Sequence, residues 1–219
     1  MHQSSPPIRE KITLESAYIH RIQYRHFILF DIIPPIISAA LIILSFNGLL
    51  PFGAFEIFLL FTFWLITGIG ITVGYHRHFT HRSFKASTVL RIFLIISGAM
   101  AAQGNVISWV ALHRLHHERS DQIGDPHSPN TFGPGFKNRF KGLMHAHFTW
   151  MAKHAYPNVV RYAPDLLRDK EIQRIGRNYY WWIFIGLAIP TIAAGIYHKS
   201  IVGALSGFLW GGALRIVLL

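Results

Sequence analysis

No cysteine occurs in the chain, and only 10 of its 219 residues are acidic. The first absence excludes disulfides, thiolate zinc sites, iron–sulfur clusters and a thiol nucleophile. Charge is scarce overall. Charged residues make up 14% of the chain, against about 25% in a typical soluble domain. With 51% hydrophobic residues and a mean hydropathy of +0.32, the composition fits neither an ordinary soluble domain nor a disordered segment. Several motifs are missing too. There is no Glu-x-x-His pair of the carboxylate-rich helical di-iron site, no His-Glu-x-x-His of a zinc protease and no Gly-x-Ser-x-Gly nucleophile elbow. No flavin or haem motif, internal repeat or low-complexity tract is present, and residues 1–26 lack the apolar core of a secretory signal.

What remains is rich in apolar runs, basic residues and histidine. A bilayer core about 30 Å thick needs roughly 20 mostly apolar residues per helix. Four segments meet that need: 27–50, 54–75, 179–197 and 201–219. The first holds Asp31 and the Pro34-Pro35 pair and is expected to kink; the second has Glu56 near its start. The expected fold is an all-α integral membrane protein. Four transmembrane helices form two hairpins, and a cytoplasmic helical cap carries histidine metal ligands. Residues 1–219 read as one domain, with an N-terminal segment 1–26, a first hairpin 27–75, a cap 76–178 and a second hairpin 179–219.

Charge sets the expected orientation. Residues 1–26 carry four Lys or Arg and residues 76–178 carry fifteen, whereas the turn at 50–53 has none and that at 198–200 has only Lys199. Positive loops stay cytoplasmic. The N-terminus and the cap are therefore expected on the cytoplasmic face of the inner membrane. The net charge of +11 thus belongs to loops beside a bilayer and gives no reason to expect nucleic acid. The stretch 86–104 is apolar but short and contains Arg91, so it reads as buried or interfacial.

Five of the 14 histidines form two compact groups. The first is the pair His76 and His81, with His78 between them, directly after the second apolar run. On an α-helix, residues five apart stand about 140° apart, so this pair could converge only on a site beside the helix end. The second group is His113, His116 and His117, which share one helical face. Imidazoles without carboxylates suit a transition metal of borderline softness. If both groups serve one site, 86–104 must stay on the cytoplasmic side or re-enter, because a crossing would separate them.

The first group, in Gly74-Tyr75-His76-Arg77-His78-Phe79-Thr80-His81-Arg82-Ser83-Phe84, followed by Trp109-x3-His113-Arg114-Leu115-His116-His117, resembles the histidine boxes of the membrane fatty acyl desaturases, in particular the delta-9 acyl-CoA branch. Gly124-Asp125-Pro126-His127-Ser128-Pro129 resembles a stretch typical of that branch. His145-Ala146-His147-Phe148-Thr149-Trp150 resembles its His-x-Gly-Trp segment, with Thr149 at the usual Gly. The resemblance implies that His76, His81, His113, His116 and His117 ligate two non-haem irons. It implies an enzyme that uses O2 and two electrons to put a cis double bond into a saturated acyl chain. Trp109 and Trp150 would line an acyl tunnel and Lys153 would meet an anionic head group. With no redox motif of its own, the chain would take electrons from a ferredoxin or a cytochrome b5-like protein.

Two departures from that family pattern stand out. The chain stops at Leu219, before the family's third histidine box, so it is expected to be an N-terminal fragment that is inactive alone. Ala111-Leu112 occupies the place of an Arg-Asp pair that contacts the CoA head group in animal members, which leaves a lipid or a carrier protein open as acyl carrier beside CoA. A membrane di-iron hydroxylase of alkyl chains or lipids shares the box chemistry. A non-enzymatic metal-binding or transport protein is a further reading. It would need ionisable residues within the spans, where only Asp31, Glu56 and Arg215 come near. His78 has no assigned role, His127, His145 and His147 read as structural or ligand-orienting, and His2, His20, His26 and His198 have no partner evident in sequence.

Overall fold

The computed structural model describes residues 10–122 and 124–219, and of Lys153 it describes the backbone alone. The chain forms two compact units. One comprises the residues up to Phe27 together with Ile107–Gln173, and the other comprises Ile28–Val106 with Arg174–Leu219.

The second unit is built of apolar helices. Among the described residues of the whole chain, three helical runs are long and apolar enough to cross a membrane: Ala17–Phe46, whose first turns belong to the other unit, Ala54–Thr80 and Tyr179–His198. The fourth segment expected to cross forms a shorter apolar helix, Ile201–Val217. Pro34 and Pro35 fall in the first turn of Ile33–Phe46, and the backbone ahead of them, Ile28–Ile32, is π-helical. The cause is local: proline lacks an N–H and its ring excludes the carbonyl four residues back, so the ladder widens there.

Ala54–Thr80 has 27 residues and measures about 40 Å at 1.5 Å per residue, more than a bilayer core needs. Its last part, Gly70–Thr80, is again π-helical. Against it packs Thr88–Met100, whose 13 residues span only about 20 Å, too short to cross. Ser87 caps that helix by accepting from the Leu90 N–H. The two helices meet through glycines. A Cβ added at Gly70 would stand 2.2 Å from the Gly98 nitrogen, and one added at Gly98 would stand 2.4 Å from the Tyr75 ring. Only hydrogen at both positions permits this closeness. Tyr75 is fully buried there and its hydroxyl donates to the Ile95 carbonyl.

Two of the ionisable residues of these helices have partners within the same unit. Glu56 is 1% exposed and lies 2.7 Å from His198 Nε2. Arg215 is fully buried and donates to the carbonyls of Gly211 and Met100, the latter at the end of Thr88–Met100. His198 thus has a partner that its sequence neighbours gave no sign of.

The first unit is polar and irregular around one long helix, Val106–Arg119. That helix buries Val110, Ala111 and Leu115 and is clamped by Arg114, which makes two bonds to the Asp165 carboxylate (2.8 and 3.1 Å) and one to the Tyr162 carbonyl. A two-residue antiparallel pairing, Thr13 to Pro157 and Leu14 to Tyr156, ties the N-terminal segment to the stretch after Trp150–Lys153 and is the one β feature among the described residues. The Gln23 amide donates to His154 Nε2 and to the His154 carbonyl (3.1 and 3.0 Å), fixing the neutral ring with its proton on Nδ1.

Candidate metal centre

In the helical unit, His76 lies in the π-helical run and His81 at its C-cap. The His81 N–H donates to the His76 carbonyl five residues back, which stacks one residue over the other. The 140° separation expected of an α-helix therefore does not arise. The two Nε2 atoms are 3.1 Å apart with the rings edge to face. His78 points elsewhere. Its Nδ1 donates to the Phe84 carbonyl and its ring lies against Phe79 and Phe84, pinning the chain after the box.

In the other unit, His113 and His117 sit one α-helical turn apart on Val106–Arg119, with Nε2 atoms 3.0 Å apart. Trp109, one turn earlier, stacks on His113 at 4.9 Å between ring centres. Two imidazoles bound side by side to one metal at about 2.1 Å, roughly at a right angle, would hold their nitrogens about 3 Å apart. Each pair has that spacing, and the donor set suits iron, zinc, copper or nickel.

His116 is held differently. Its Nδ1 lies 2.9 Å from Asp125 Oδ1 and its ring stacks on His127 at 4.1 Å, so Asp125 engages Nδ1 and not Nε2. His116, Asp125 and His127 bring three donor groups within 4.8 Å of one another. The Asp125 side chain is 1% exposed. It also accepts from the backbone N–H groups of Asp121 and His127. Burial pushes the Asp125 carboxyl up, but these donors and His116 outweigh it and hold the group below the usual carboxylate range. Asp121, itself left-handed at φ 57°, accepts from Ser128 and Asn130, which likewise lower its carboxyl. Burial, with His116 nearby, keeps His127 below the ordinary imidazole value, so it stays neutral.

Trp150 lies against His127 and His154, each at 5.2 Å between ring centres. His145 and His147 bond locally, to Thr149 and to the Leu143 carbonyl. The side chain of Lys153, like all of His2, lies outside the described residues. Ala111 is fully buried. Asp125 is the residue that sequence reasoning missed. It stood in a quoted stretch, yet its nine-residue distance from His116 follows no helical spacing.

No protein-family model matches the chain. It is similar to curated proteins along most of its length. It is 49% identical over 205 residues, 93% of the chain, to the hex-5-enoyl-[acyl-carrier protein] acetylenase of Moorena producens (strain JHB), of which the match covers 63%. It is 35% identical over 160 residues, 72% of the chain, to the sn-1 stearoyl-lipid 9-desaturase of Anabaena variabilis, covering 52% of that protein. It is 30% identical over 192 residues, 85% of the chain, to the acyl-CoA 5-desaturase AL21 of Anemone leveillei, covering 54%.

The chain belongs to the fatty acyl desaturase family.

It spans between half and two thirds of the length of these desaturase relatives. Their names give three different acyl carriers, a carrier protein, a lipid and CoA, so membership of the desaturase family does not fix the carrier.

Proposed function

We propose that this chain is the histidine-box portion of a membrane fatty acyl desaturase that removes two hydrogens from adjacent methylenes, consuming O2, two electrons and two protons and releasing two waters. The observation that carries this reading is the pair of imidazole nitrogens about 3 Å apart in each box, on a chain related to desaturases and an acetylenase. His76, His81, His113, His116 and His117 would serve as ligands of the two irons, as the family resemblance implies. Bound iron would supply the O2-derived oxidant for hydrogen removal. The protein's own work is to orient the imidazoles and to hold one carbon pair in reach. Asp125 and His127 fix the His116 ring, and Trp109 and Trp150 offer apolar walls for an acyl chain. Lys153 would face the carrier's anionic group. Electrons would come from a ferredoxin or cytochrome b5-like donor. The N-terminus and both boxes would face the cytoplasm, as the excess of Lys and Arg in 1–26 and 76–178 argues.

The test is to express the chain, and the longest natural reading frame that contains it, in membranes. Iron per chain would be measured, and saturated acyl groups supplied on CoA, on a carrier protein and in lipid. A product lighter by two hydrogens supports the reading. A hydroxylated product moves the chain to the lipid hydroxylases. Stoichiometric zinc with unchanged acyl groups makes it a non-enzymatic metal-binding protein.

A further inference from the structure

The helix Phe136–Met144 exposes more large apolar surface than a helix facing water keeps. Phe136 is 87% exposed, Phe140 59% and Leu143 50%, and Phe148, just beyond, is 50% exposed. At 100° per residue, Leu143, Phe136, Phe140 and Met144 fall within an arc of about 100°. Lys137 and Lys141 border that arc on one side and Arg139 on the other. Roughly opposite lie Asn138, which stays exposed, and Gly142, which meets the protein. There, a Cβ added at Gly142 would stand 1.9 Å from the Pro129 carbonyl, so the helix rests directly on the loop backbone. The surroundings carry one sign of charge: between Asp125 and Asp165 there is no acidic residue, against five Lys or Arg.

An apolar stripe bordered by cations matches a surface that offers hydrocarbon below and anionic phosphate above. A soluble acidic partner would answer the cations and leave the phenylalanines unmatched. Among the described residues are three helices long and apolar enough to cross a membrane, so a bilayer is already at hand. We propose that Phe136–Met144 lies flat in the headgroup layer of an anionic membrane, with Phe136, Phe140, Leu143 and Met144 inserted and Lys137, Arg139 and Lys141 on lipid phosphates. This does not depend on the reaction catalysed.

The chain has no native thiol, so single cysteines report cleanly. Phe140→Cys, Leu143→Cys and Asn138→Cys would each carry a nitroxide, in nanodiscs of phosphatidylcholine with one quarter phosphatidylglycerol. Collision with dissolved O2 and with a water-soluble nickel chelate is then read by power saturation. The expected result is O2 collision dominating at 140 and 143, nickel collision dominating at 138, and the contrast at 140 falling at least twofold in pure phosphatidylcholine when Lys137→Gln and Lys141→Gln are combined. Nickel access at both 140 and 143 would show a water-facing helix. Low access to both reagents at those positions would show a protein covering. Either result overturns the proposal. Because two apolar positions are read, loss of one variant to misfolding leaves the other to decide.

Discussion

The Asp125 carboxylate accepts from His116 and His127 on one oxygen and from the Asp121 N–H on the other, so it sets both the tautomer and the tilt of the His116 ring. Carboxylates behind ligating histidines typically matter by 10–100-fold in metal affinity. Asp125→Ala is therefore expected to weaken metal binding by roughly 10–100-fold in a titration with Fe(II) or Co(II), with Asp125→Asn falling between it and the parent. His154 gives a second expectation. Burial lowers its pKa to about 4, and the Gln23 amide already occupies Nε2 as a donor. The folded protein therefore binds fewer protons than the unfolded chain between about pH 6.5 and pH 4, and stability falls as pH drops through that window. From pH 7 to pH 5 the loss should be about 1–2 kcal/mol, read as a lower melting temperature, and His154→Gln should flatten the slope. Sequence and structure agree where spacing is geometric. His113 and His117 were legible as a pair because four residues make one α-helical turn. Asp125 and the Glu56–His198 contact were not, since a loop and a contact across 142 positions leave no periodic trace.

Among the helices, the short length of Thr88–Met100 was legible from its composition, whereas the π-helical form of Gly70–Thr80 was not. Local propensity does not separate a ladder of four from a ladder of five. What holds that helix in place is visible only in three dimensions. Gly70 and Gly98 bring its backbone onto Thr88–Met100 closer than any side chain allows. Gly70→Ala or Gly98→Val must force the two helices apart, and each should cost at least the 1–3 kcal/mol typical of overpacking. Thermal unfolding in detergent should show it. A substitution at Gly48, where a Cβ meets nothing within 4 Å but φ is +73°, should cost less, from backbone strain alone.

For the molecule as a whole, the long apolar helices are covered by protein only in part. The shares buried in their most apolar windows are 11%, 33% and 28%. Their exposed side chains call for lipid. The chain should therefore stay with membranes through high salt and alkaline carbonate and come free only with detergent. Orientation can be checked in the same membranes, using the absence of native thiols. A cysteine placed at Asn130 should react with an impermeant maleimide only in inside-out vesicles, and one at Phe52 only in right-side-out vesicles. The opposite pattern would reverse the charge-based assignment.

The first box sets its histidines five apart on a wide ladder, and the second sets His113 and His117 four apart on a tight one, yet both arrive at the same nitrogen-to-nitrogen gap. Removing a single residue between His76 and His81 need not abolish that gap, provided the backbone rewinds from one hydrogen-bonding register to the other. In such a chain the count of intervening residues is a record of how the helix is wound, and a search pattern that insists on one count would overlook one of the two histidine pairs.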